Sequence, residues 1–150
     1  MPKLLGIAYK TVKNGLMNEV LYANVTQLSG VEKDIFGRPG KRQVTVLSKQ
    51  QWLTACQSIN VDLPWTTRRA NLFVDGLVFS SADVGKHLQI GELLLEITGE
   101  TDPCKKMEVV HIGLEAALSP DWRGGVTCRV IVGAMIHQGD TVTLVTESLS

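Results

Sequence analysis

The chain has 150 residues, 44% hydrophobic and 20% charged, with fifteen basic and fifteen acidic side chains. That length and composition suit one globular domain over 1–150 with a sizeable core. A formal net charge of zero argues against bulk electrostatic capture of nucleic acid or of an anionic membrane, and no apolar run is long enough to span a bilayer. The first residues, Met1-Pro2-Lys3-Leu4-Leu5-Gly6, lack the apolar core and cleavage site of a signal peptide, so a cytoplasmic address is expected. The three cysteines, Cys56, Cys104 and Cys128, are odd in number and widely spaced, which disfavours a disulfide framework. They form no C-x-x-C pair, and the three histidines have no H-x-x-x-H spacing. Any metal must therefore be held by few protein ligands, through a cofactor that brings its own.

In chain order, Lys3 to Tyr9 reads as a first strand, Asn14-Gly15 as a turn and Asn18 to Thr26 as a second strand. Val31 to Arg42, with Gly37, Arg38, Pro39, Gly40, Lys41 and Arg42, reads as a mobile basic loop. Such a loop either cradles an anion or is a solvated connection. Gln43 to Leu47 is a β-branched strand. Ser48-Lys49-Gln50-Gln51 then matches a capping box, starting a helix with Trp52, Leu53 and Cys56 on one face. Arg68-Arg69-Ala70-Asn71 stands at the entrance to a strand over Leu72 to Val74. There, arginines and an amide bind phosphate or carboxylate, or simply form a polar turn.

Strands over Lys86 to Ile90 and Leu93 to Ile97 flank a break at Gly91-Glu92. Thr101-Asp102-Pro103-Cys104 then leads into an amphipathic stretch, Met107 to Leu118, with Asp102 as the expected N-cap and Pro103 as the first helical residue. Cys104 in that first turn, beside Lys105 and Lys106, is either a soft anionic ligand or nucleophile or a half-buried structural thiol. A lone His111 within the stretch reads as structural. Arg123-Gly124-Gly125 precedes a strand over Val126 to Val132, and Thr141 to Val145 forms the last strand.

Short strands joined by glycine turns outnumber helices. The pattern predicts a mainly β fold, a bent antiparallel barrel with a few short flanking helices. No G-x-G-x-x-G or Walker A pattern occurs, which argues against a Rossmann or P-loop nucleotide site.

The order of these pieces resembles the MOSC family, named for the C-terminal domain of molybdenum cofactor sulfurase. The residues that carry the resemblance are Arg42-Gln43-Val44, Arg69-Ala70-Asn71-Leu72 with Gly76, Val84-Gly85 and Ile90-Gly91. They continue with Gly99, Pro103-Cys104, Arg123-Gly124-Gly125, Arg129-Val130 and Gly139-Asp140. The resemblance implies a MOSC-like barrel and a role for Cys104 as sulfur ligand to molybdenum in a pterin cofactor, or as carrier of a persulfide. Arg69 and Asn71 match the family's R-x-N element beside that site.

Three functions follow. The first is a molybdenum-cofactor oxidoreductase acting on N-hydroxylated small molecules, with electrons from a donor protein. Cys104 would bind the metal, Arg69 with Lys41 or Arg42 would clamp the cofactor phosphate, and Asn71 would orient a pterin or oxo group. The second is a sulfur-carrier or cofactor-handling module supplied by a sulfur-donor protein, with a Cys104 persulfide stabilised by the helix start and Lys105. The third is a non-catalytic barrel that binds a ligand or partner, with Cys104 incidental.

Overall fold

The computed structural model describes residues 1–146. Period-2 apolar patterning builds most of its strands, because alternate side chains leave a strand on opposite faces. In chain order these are β1 (Lys3–Tyr9), β2 (Asn18–Val20), β3 (Tyr22–Thr26), β4 (Gly30–Val31) and β5 (Val44–Ser48), then helix α1 (Lys49–Ser58). There follow β6 (Leu72–Asp75), β7 (His87–Ile90), β8 (Leu93–Glu100), α2 (Lys105–Val110), α3 (Leu114–Leu118), β9 (Val126–Val132), β10 (Ala134–His137) and β11 (Val142–Val145).

Among the described residues, eight strands form one sheet in the order β11-β7-β8-β9-β5-β6-β1-β2, and β10-β3-β4 form a second. The expected single strand over Asn18 to Thr26 is thus two: β2 pairs with β1, whereas β3 pairs with β4 and β10. The pairing is antiparallel except between β5 and β6, which α1 joins as a parallel crossover.

The expected barrel is not closed. The large sheet bends until the start of β1 meets the start of β11, but only through an isolated Lys3–Thr141 bridge and bonds such as Leu4 N to Asp140 O at 2.9 Å. The outer edge of β1 is already occupied from Ile7 to Tyr9 by β2, so no continuous ladder to β11 can form.

Both faces of β5 and β6 are covered. Val44, Val46, Leu72 and Val74 enter the core enclosed by the sheets. Leu47 and Phe73 face a second core with Trp52, Cys56, Met107 and Leu114 from the helices. Ser48 caps α1, accepting from Gln51 N at 3.3 Å. The reciprocal half of the capping box is absent. The Gln51 amide instead turns inward, donating to Phe79 O (2.9 Å) and Asp121 O (2.8 Å) and accepting from Phe79 N (3.0 Å). Trp52 and Cys56 are buried as expected, but Leu53 is exposed.

The stretch after Cys104 is two helices rather than one. Gly113, at φ 91°, breaks it, and the Glu108 carboxylate accepts from Gly113 N (2.9 Å) and Glu115 N (3.3 Å), capping the start of α3. No helix among the described residues is long and apolar enough to cross a membrane.

Candidate functional site

A cleft of about 460 Å³ opens where the ends of β1 and β5, the segment before β6, and the turn before α2 converge. Five cationic side chains line it, Lys10, Arg42, Arg68, Arg69 and Lys106, against two carboxylates, Asp34 and Asp102. A chain neutral as a whole therefore concentrates positive charge at one place. Low-dielectric walls strengthen such a field toward an anion.

Cys104 lines the cleft and is exposed, whereas Cys56 and Cys128 are buried. Burial pushes the pKa of both buried thiols up, which makes them inert packing groups. The helix register differs from expectation. Cys104 is itself the N-cap of α2, and Asp102 and Pro103 lie outside the helix. With six residues, α2 has only a small dipole, so the positive field at Cys104 comes from the cleft's side chains.

Arg69 and Asn71 also line the cleft. Arg69 closes a 3-10 turn over Trp65–Arg68 with a left-handed backbone, φ 66° and ψ 29°. A non-glycine residue there costs of order 1–3 kcal/mol, a strain that clusters at functional sites. The Arg69 Nη1 atom is buried and has no hydrogen-bond partner among the described residues, and the same holds for Thr101 Oγ1.

Asn71 is also engaged by the fold itself. Its amide oxygen accepts from Thr45 N (3.0 Å) and Thr45 Oγ1 (3.3 Å), and its nitrogen donates to Ala8 O (3.2 Å). The amide ties β1, β5 and the Arg69 segment together, so its carbonyl is already engaged and Asn71 acts as a brace.

Arg42 lines the cleft, but Lys41 and Lys105 do not. The Lys41 carbonyl is tied to the Thr98 hydroxyl at a bulge between β8 and β9. Successive helical residues diverge by about 100°, so Lys106 rather than Lys105 faces inward.

Two further cleft residues are Arg68, one of the two arginines noted at the strand entrance, and Lys10, which carries no signal in the local sequence. Arg68 is buried, donating from Nε to Gly124 O (3.1 Å) and from Nη2 to Thr101 O (2.9 Å). It thereby pins the turn that bears Cys104 to the start of β9. A side chain at Gly124 would collide with Thr101 O, so glycine is required at that contact. Burial pulls the pKa of Arg68 down. Lys10, at the end of β1, is 9% exposed, with Nζ 4.8 Å from the centroid of the Phe36 ring. Burial and then Arg69 lower its pKa. Only its place in a strand register brings Lys10 here, because the pairing of β1 with β6 sets it beside Arg69.

The donor set suits a phosphate-bearing cofactor whose metal takes one protein thiolate: unpartnered cationic donors, an exposed sulfur and an apolar wall from Ala70 and Met107. No group of three or more His, Cys, Asp or Glu among the described residues is placed to hold a bare metal ion.

The MOSC domain model matches residues 21–143. No curated protein matches the chain in sequence. Among solved structures, the chain is similar to the YuaD protein from Bacillus subtilis, with a TM-score of 0.80 and 17% identity over 99% of this chain and 98% of that one. YiiM from Geobacillus stearothermophilus aligns with a TM-score of 0.76 and 16% identity, over 100% of this chain and 78% of that one. YiiM from Escherichia coli aligns at 0.73 and 18%, over 99% and 72%. At these identities the likeness is one of fold.

Proposed function

The chain belongs to the MOSC domain family, and from that premise we propose that its cleft binds the molybdenum–pterin cofactor as part of an oxidoreductase acting on N-hydroxylated compounds. Cys104 would be the protein thiolate on the metal, since a soft sulfur donor suits molybdenum. Arg69 and Arg42 would clamp the cofactor phosphate, matching planar guanidinium forks to oxyanion geometry. Arg68 would hold the Cys104 turn in place, and Asn71 would keep Arg69 in its strained backbone conformation. When bound, the group supplies a redox-active metal centre suited to oxygen removal. Electrons would come from a separate donor protein.

The observation that carries this reading is the exposed Cys104 thiol in the same cleft as the buried, unpartnered Arg69 Nη1. A buried donor without an acceptor costs about 1–3 kcal/mol, which a bound oxyanion would recover. The test is elemental analysis of protein expressed with molybdate. Near-stoichiometric molybdenum is expected in the wild type, with strong depletion in Cys104→Ala and Arg69→Met. Metal-free wild type that still performs its cellular role rejects the reading.

The exposure of Cys104 favours a second reading, in which a sulfur-donor protein reaches the thiol and leaves a persulfide there. That version predicts a sulfur-sized mass increase on Cys104, removed by reduction, in protein made beside a desulfurase.

A further inference from the structure

Lys10 is more than nine-tenths buried, yet its ammonium has no hydrogen bond and no ion pair among the described residues. Asp34 Oδ1 accepts from the backbone nitrogen of Lys10 at 2.9 Å, and its charge favours the ammonium without forming an ion pair. Its remaining charged neighbours, Arg69 and Lys106, are both cationic. The stem of Lys10 is buried while its ammonium reaches the open cleft. The side chain lies in the cleft against the ring of Phe36, which is 46% exposed and lines the same space. An ammonium has only donors, so its complement is an oxyanion. A half-exposed aromatic ring beside it suits a flat apolar body.

We propose that Lys10 and Phe36 form a subsite for a planar organic acid, its oxyanion on Lys10 Nζ and its ring against the exposed part of Phe36. The proposal rests on the reading of the cleft as a cofactor-and-substrate site. It narrows the substrate to an N-hydroxylated aromatic compound that carries a carboxylate. Arg42 and Arg69 are left to the cofactor phosphate.

The experiment is calorimetric titration of the purified protein, its molybdenum content recorded, with benzoate, benzamide and inorganic phosphate. Wild type should bind benzoate about tenfold more tightly than the neutral amide, the value of one charge-assisted hydrogen bond. Lys10→Met should erase that preference and leave phosphate binding intact, while Lys10→Arg should keep the preference. Phe36→Leu should weaken benzoate and benzamide alike. Thermal melts confirm that each variant is folded, and Lys10→Arg serves as the folded control if Lys10→Met is not. Equal binding of benzoate and benzamide by wild type overturns the proposal. So does loss of phosphate rather than benzoate in Lys10→Met, which would place Lys10 on the cofactor phosphate. Molybdenum-free wild type that still prefers benzoate separates the two ideas: the subsite stands and the cofactor reading falls. Molybdenum-loaded protein without the preference does the reverse.

Discussion

The fold treats its buried amides and the unmatched donors of the cleft in opposite ways. Gln43, buried just before β5, donates to Gln27 O (2.7 Å) and Gly37 O (3.2 Å) and accepts from Val130 N (2.9 Å). Gln51 is matched as fully against Phe79 and Asp121. In the cleft, the buried Arg69 Nη1 and Thr101 Oγ1 have no hydrogen-bond partner among the described residues. The fold can satisfy buried amides from its own backbone. Where it leaves a cationic donor unmatched beside an exposed thiol, the proposed cofactor would supply the missing acceptor.

Substitutions can sharpen or break this contrast. The largest effect is expected in the interior. Leu72→Ala, at a fully buried site, should lower stability by about 2–5 kcal/mol in urea denaturation. A loss well below that range would mean that the interior is not close-packed there. Gln51→Leu should cost about 1–3 kcal/mol, because two carbonyls and one N–H would be stranded. Unchanged stability would mean that water replaces the amide and that the interior is less dry than the contrast requires. The smallest effect is chemical and leaves the fold intact. Under native conditions a thiol reagent should label Cys104 rapidly and leave Cys56 and Cys128 untouched until denaturant is added. Rapid native labelling of Cys128 would show that the sheet interior opens readily.

Much of the architecture was legible locally. The apolar run in Lys3 to Tyr9, the glycine break at Gly91 and the Ser48 cap each record a preference of a few neighbouring residues, and each corresponds to an element. The register at Cys104 was misjudged because Asp102 and Pro103 are as acceptable outside a helix as at its start. Tertiary bonds from Thr101 to Arg68 and Gly125 decide where α2 begins. Strand β10 has no reading in the sequence, since four residues between glycines are too short to declare a period. The Gln51 half of the capping box failed because a buried amide gains more from three partners in the interior than from one at the helix end.

Of the site, Cys104, Arg69 and Arg42 could be singled out as residue types suited to binding a metal and a phosphate, and the structure sets all three on one cleft. Arg68 was legible only as one of a pair of arginines at a strand entrance, and Lys10 not at all, because a lysine at the end of a strand looks the same in sequence whether buried or solvated.

The amino-acid sequence by itself determined the class of the fold, its turns and the one cysteine placed outside an apolar pattern, because those depend on interactions within a few residues. Only the tertiary structure decided that the sheet bends without closing and that five cations meet beside that cysteine. Both depend on strand pairing between segments distant along the chain, and pairing selects which side chains lose water and which are left without a partner.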